Sequence, residues 1–353
     1  RYPARHAARG GLGAVMGKKG LKFVMVDPGK APLRQPADPE GFKSLNKSYT
    51  KSYLEGPQMF KTGTAGVVAL ANELHTFVYK NRTSGQSPDV ETLDGARINE
   101  SFEKRGGKMH NCMTGCIVKC SNIVNDAQGK YKTSALEFET LTLLGASCAI
   151  ASWEDVADLD RLCDELGLDT IETGAAIAIY MDAGGMAWGD AEAAKKLVEE
   201  IADGTELGRA IGNGAVATGK YMGHPRVPES RGQAIPAWDP RPLKATGVTY
   251  CTSAMGADHT AGLVVKPGLP VEEMAWESQK VQIVNAVCDS SGFCQFRQTS
   301  RADIRGFYAA LYGTPVSREA SHALGWPCLS DEWEFNDGAG FTDADDTLSD
   351  CLQ

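Results

Sequence analysis

Three cysteines fall within nine residues, Cys112-Met113-Thr114-Gly115-Cys116-Ile117-Val118-Lys119-Cys120, and no other feature constrains the fold of this chain as strongly. Thiolates held so close repel one another unless a cation lies between them, so the loop that carries them is shaped by what it binds. Zinc takes such thiols as a C-x2-4-C knuckle completed by a second knuckle, and no second knuckle follows. A cubane iron–sulfur cluster takes three clustered cysteines and a distant one. The distant candidate is Cys294, in Asp289-Ser290-Ser291-Gly292-Phe293-Cys294. The spacing alone leaves zinc and structural or redox thiols open beside iron–sulfur ligation.

The remaining cysteines, Cys148, Cys163, Cys251, Cys288, Cys328 and Cys351, match no ligand spacing and read as small buried hydrophobes. In a chain of 353 residues without a signal-peptide pattern they read as reduced thiols rather than a disulfide framework. A net charge of −9 disfavours a nucleic-acid binder, whose affinity rests on a lysine and arginine surplus. No apolar run reaches the roughly 18 residues that span a bilayer, and the expected location is cytoplasmic. The chain opens at Arg1 with a motif already under way at Arg9, so an upstream domain is expected, in cis or on another chain.

Along the chain, a glycine-rich turn leads into Leu21-Lys22-Phe23-Val24-Met25-Val26, which reads as a buried strand. From Ala37 to about Pro228 the pattern is mainly helical. Ser152 with Asp155 resembles a cap, Gly167 a stop, and Asp190 and Gly204 bracket another helix. Residues 125–129 punctuate a hairpin. The proline-rich stretch Pro225 to Pro242 marks a boundary near 229, after which Val271 to Val287 reads as one helix that delivers Asp289 to its end, and Ser300 with Asp303 caps a further one. The expected fold is mainly α, with a short N-terminal β remnant at 1–36 and helical units at 37–228 and 229–353.

Gly10, Gly11 and Gly13 let backbone amides approach an anion, and Arg9, Lys18 and Lys19 supply charge, although a glycine-rich basic segment is also what a plain tight turn looks like. Asp169 and Asp289 each end or follow an apolar helical stretch. A carboxylate there could accept two parallel donors, or simply be solvated. His259, one of six histidines, would on its own read as structural. Glu137 and Glu139 bracket Phe138 and would share a face if they lay in a strand.

Taken in order, these motifs resemble the aldehyde:ferredoxin oxidoreductase family. Arg9-Gly10-Gly11-Leu12-Gly13-Ala14 is similar to its phosphate-contacting loop. Leu136-Glu137-Phe138-Glu139-Thr140, Leu166-Gly167-Leu168-Asp169-Thr170-Ile171-Glu172, Ala237-Trp238-Asp239-Pro240-Arg241, Gly256-Ala257-Asp258-His259 and Asp289-x-x-Gly292-Phe293-Cys294 follow in the family's sequence, and Gly340 to Leu348 resembles its closing segment. The resemblance implies a tungsten or molybdenum bis-pyranopterin, held by Arg9 to Ala14 and by Asp169 and Asp289, with magnesium bridging the pterin phosphates. It also implies a [4Fe–4S] cluster on Cys112, Cys116, Cys120 and Cys294, an active-site His259, and an acidic proton carrier at Glu137 or Glu139, with Glu137 preferred. The implied reaction is aldehyde oxidation, with electrons passed to ferredoxin or a small ferredoxin-like subunit, in a protein that is often oligomeric. Two departures stand out: the family's commoner spacing is C-x2-C-x3-C, and Asp169 lacks the Asp-x-x-Gly pattern seen at Asp289. A related reductase, such as a class II aromatic acyl-CoA reductase catalytic subunit, and a non-catalytic electron-transfer or scaffold subunit are the alternatives.

Overall fold

The computed structural model describes residues 6–58 and 60–352, with backbone alone at 321 and 322. Helices dominate, and no helix among the described residues is long and apolar enough to cross a membrane. The centre of the molecule is the Thr170–Asp182 helix, whose Ile171, Ala175 to Ile179 and Met181 are buried on every side. A helix apolar all round must be enclosed, and this one lies between the Gly214–Met222 helix and the Leu141–Gly145 turn. At Gly174 a Cβ would stand 2.5 Å from the Leu143 carbonyl carbon, so only glycine lets the two backbones touch. The Leu141–Gly145 turn is itself a π-helix, a widened winding frequent at functional sites.

The caps fall where the sequence places them. Ser152 accepts from Asp155 N at 3.2 Å, Asp190 from Ala193 N at 2.9 Å and Ser300 from Asp303 N at 3.0 Å. Gly167 and Gly204 close their helices at φ of 72° and 64°. The hairpin at 125–129 joins β2 (Ser121–Asn125) to β3 (Tyr131–Ser134), with β1 (Lys108–His110) antiparallel on the other edge of β2. The cysteine loop is the connection from β1 to β2, so this small sheet anchors both of its ends.

One expectation changes, and two packing features bear on the expected units. Leu21 to Val26 forms no strand, and Phe23, Val24, Met25 and Val26 are 71–82% exposed. Strand preference expresses itself only against a neighbouring edge, and the described residues place none beside this run. The proline-rich stretch is not an exposed link: Ile235, Ala237, Trp238 and Asp239 are buried, and Trp238 packs on Phe138 with ring centroids 5.0 Å apart. The Pro39–Leu54 helix packs not on the unit that follows it but on Arg301–Tyr312, through Phe42 and Tyr49 against Phe307, each pair with centroids 5.4 Å apart.

Asp239 explains why the proline-rich stretch folds inward. Its carboxylate is fully buried and accepts from Arg82 Nη1 at 3.3 Å and from Arg241 Nη2 at 2.7 Å. Burial alone would raise its pKa, but the two guanidiniums hold it below the usual carboxylate range. Asp239→Ala strands Arg82 without its counter-ion, and urea unfolding should show a loss of about 3–5 kcal/mol. A loss under about 1 kcal/mol would mean that the pair does not organise this stretch.

Candidate active site

The structure brings the four cysteines singled out by spacing into one neighbourhood. Cys112, Cys116 and Cys120 lie on the loop between β1 and β2, and Cys294 follows the Val271–Ser290 helix. Burial first, then the negative fields of Glu137, Cys294, Cys112 and Cys116, push the Cys120 thiol up to about 12. Gly115 and Lys119 adopt φ of 84° and 52°, turning the loop back on itself, and the Lys119 amide donates to Cys116 Sγ at 3.5 Å. Gly63 packs so closely that a Cβ there would meet the Cys120 carbonyl oxygen at 2.7 Å. All ten cysteines are thiols. No group of three or more His, Cys, Asp or Glu among the described residues could hold a single metal ion.

The second feature is a proton pair. His259 Nδ1 stands 3.5 Å from Glu139 Oε1; both atoms are closed to solvent, and neither makes a hydrogen bond. The other carboxyl oxygen, Oε2, accepts from Ala237 N at 2.7 Å. Burial raises the pKa of Glu139, opposed by His259 and by the Ala237 amide. The two glutamates diverge because their segment is helical rather than extended. Glu137 precedes the short Phe138–Thr140 turn and lies near Cys120, whereas Glu139 turns to His259. The preference for Glu137 beside the histidine therefore shifts to Glu139.

A third group lies beneath the histidine. Arg9 donates through Nε to Asp258 at 2.9 Å, through Nη1 to Asp169 at 3.0 Å, and through Nη2 to the carbonyls of Ala234 (2.8 Å) and Ala257. Four of its five N–H donors are thus spent on the protein. Asp169 also caps its helix, accepting from Ile171 N at 3.3 Å and Glu172 N at 3.1 Å. Burial opposes ionisation of Asp258, but Arg9 and His259 hold its pKa below the ordinary value. Arg9 thereby ties the glycine segment to the loop of His259.

Gly10 and Gly11 are left-handed, with φ of 83° and 76°, which accounts for glycine there. Gly13 has no such φ, and nothing lies within 4 Å of where its Cβ would stand, so packing within the chain does not explain it. Ala14 belongs to the exposed Leu12–Lys18 helix. Asp289 is exposed in the last turn of Val271–Ser290, where both of its carboxylate oxygens accept from Gln295 Nε2 at 3.0 Å.

Sequence reasoning missed the residues near Cys294. Arg297 lies over the Tyr49 ring at 4.0 Å and the Tyr53 ring at 5.5 Å, and donates to Tyr49 O at 2.6 Å. Its position three residues after Cys294 was the available signal; the tyrosines, some 240 residues earlier in the chain, gave none. Glu172, which accepts from Ala215 N and Ala234 N at 2.9 Å each, was likewise visible only as part of a motif.

The family model described as aldehyde ferredoxin oxidoreductase, domains 2 & 3, matches residues 41–353. The tungsten-containing aldehyde ferredoxin oxidoreductases of Pyrococcus furiosus and Thermococcus kodakarensis are each 29% identical over 379 aligned positions, covering 98% of this chain and 61% of the relative. The WOR-like subunit of the aliphatic sulfonate oxidoreductase of Pyrococcus furiosus is 30% identical over 324 positions, covering 82% of this chain and 49% of that protein. The chain therefore spans about three fifths of the length of the two aldehyde ferredoxin oxidoreductases. Among solved structures, the active site complex BamBC of benzoyl coenzyme A reductase, in complex with 1,5-dienoyl-CoA, has the same fold, with a TM-score of 0.76 at 17% identity over 98% of this chain and 63% of that one.

Proposed function

The chain belongs to the aldehyde ferredoxin oxidoreductase family, and from that premise we propose that it is the cofactor-bearing part of a tungsten- or molybdenum-pterin enzyme that oxidises an aldehyde to a carboxylic acid. The observation that carries the catalytic reading is the solvent-shut pair of His259 Nδ1 and Glu139 Oε1, two buried polar atoms with no hydrogen bond. Orphaned groups of this kind are costly in a structural role and are kept where chemistry uses them.

The thiols suit a cluster, because the burial and neighbouring negative groups that oppose a thiolate at Cys120 would be offset by a cationic centre. Cys112, Cys116, Cys120 and Cys294 would hold [4Fe–4S], tying the cysteine loop to the C-terminal helices. The amides of Gly10 to Ala14 would meet the pterin phosphates and any magnesium between them, with open space beside each glycine. Arg9 would position that segment rather than touch the phosphates itself. Asp289, whose carboxylate accepts from Gln295, would accept from a pterin ring, and Asp169 would join it at the engaged end of its helix.

The metal-pterin, when bound, supplies the two-electron chemistry; the chain orients substrate and manages protons. R-CHO and water become R-COOH, with two electrons and two protons released. Glu139 would keep a proton on His259 Nδ1 and leave Nε2 to take one from the substrate oxygen. Electrons would leave through the cluster to ferredoxin or a small ferredoxin-like subunit.

Two experiments test this reading. Asp289→Ala removes a charged acceptor worth about 1.5–3 kcal/mol, and mass spectrometry should find less pterin per chain than in wild type. Undiminished pterin would remove Asp289 from the site. Dye-linked assays across aldehydes and aromatic acyl-CoAs should give turnover with an aldehyde. Turnover confined to an acyl-CoA would make the protein a ring reductase, and cofactor-loaded protein without turnover would make it a scaffold.

A further inference from the structure

A cleft of about 240 Å³, separate from the His259 pair, is lined by Asn81, Arg82, Thr83, Arg226, Arg241 and Cys351. Three of these are arginines, and two carboxylates answer them. Asp239 accepts from Arg82 Nη1 and from Arg241 Nε and Nη2, at 3.3, 2.9 and 2.7 Å. Asp182 is shared by Asn81 Nδ2 at 2.9 Å, His224 Nε2 at 3.0 Å and Arg226 Nε at 3.6 Å. Three guanidinium charges thus face these two carboxylates at ion-pair distance, and donors remain. Arg226 engages its Asp182 partner through Nε alone, and Arg241 bonds through Nε and Nη2, leaving its Nη1.

The backbone beside the cleft is unusual. Lys80, Asn81 and Arg82 are three consecutive non-glycine residues in the left-handed region, with φ of 44°, 45° and 62°. Ordinary residues visit that region singly, and such conformations cluster where a ligand is clamped. The turn has a visible consequence: it presents the Arg82 carbonyl, which accepts from Arg241 Nη2 at 2.9 Å and so fixes the Arg241 fork at the cleft.

We propose that this cleft binds phosphate, free or as the terminal group of a small molecule, between the forks of Arg226 and Arg241. Arginine forks match tetrahedral oxyanions with paired donors, and three guanidiniums meet the carboxylates of Asp239 and Asp182 here.

The test is calorimetric titration of inorganic phosphate into the cofactor-loaded protein, whose glycine segment is then occupied by its own cofactor. Ionic strength is held constant with chloride, so that screening alone gives no saturating heat. Wild type should bind one phosphate saturably, with Kd of about 1 mM or tighter. Arg226→Gln and Arg241→Gln should each weaken binding by about tenfold or more. Arg226 is 41% exposed, so its substitution leaves the core untouched even if Arg241→Gln perturbs Asp239. No saturable heat beyond the chloride control, or unchanged affinity in the Arg226 variant, overturns the proposal.

Discussion

His259→Ala and Glu139→Gln are each expected to lose at least about 10² in aldehyde turnover while keeping iron, metal and pterin. Histidine is the side chain whose ordinary pKa, about 6.5, best suits proton transfer near neutral pH. Glu139 is its only carboxylate neighbour at ion-pair distance among the described residues, at 3.5 Å. Because burial raises the carboxyl's pKa, its protonation should lower the rate at a pH above the range of an exposed glutamate, and Glu139→Gln should remove that contribution to the acid limb. Glu137→Gln provides the contrast. Lying near Cys120, it should leave the proton limb in place and alter the cluster's electrochemistry instead. Full activity in the His259 variant would end the proton-carrier assignment, and a proton limb lost in Glu137→Gln but kept in Glu139→Gln would return the role to Glu137.

Cys294→Ala should cost the protein most of its iron. The other three thiols sit on one loop, and only Cys294 reaches them from the C-terminal helices, so a three-thiol site lacks its fourth corner. Cys148→Ala is the control. That thiol is fully buried and donates to Leu143 O at 3.3 Å, and its removal should lower stability without changing iron content. Four irons per chain and an unchanged EPR signal in anaerobic Cys294→Ala would break the assignment. Equal iron loss in Cys148→Ala would show that general unfolding, not ligation, governs the count.

The helices, their caps and the hairpin at 125–129 were legible because their signals are local. Ser152 and Gly167 act within one turn of themselves, and the cysteines announce themselves by spacing. What stayed hidden depends on partners far away in the chain. The pairing of Arg9 with Asp169 and Asp258 crosses more than 150 residues, and nothing near Arg9 tells an inward guanidinium from one that faces a phosphate. The preference for Glu137 over Glu139 went astray because an alternating pattern suggests a shared face, whereas a helical turn entering a π-helix sends them to different neighbours. Leu21 to Val26 carries strand chemistry, but strand formation depends on an edge to pair with. The Asp239 cluster turned a proline-rich segment inward by charge pairing, which composition does not reveal.

The most direct test of the account is a count of iron, tungsten, molybdenum and zinc, together with pterin, in the full-length protein purified without oxygen. The account predicts four irons per chain, one tungsten or molybdenum, and two pterins for each such metal. Zinc in place of iron, or active protein without pterin, would contradict it.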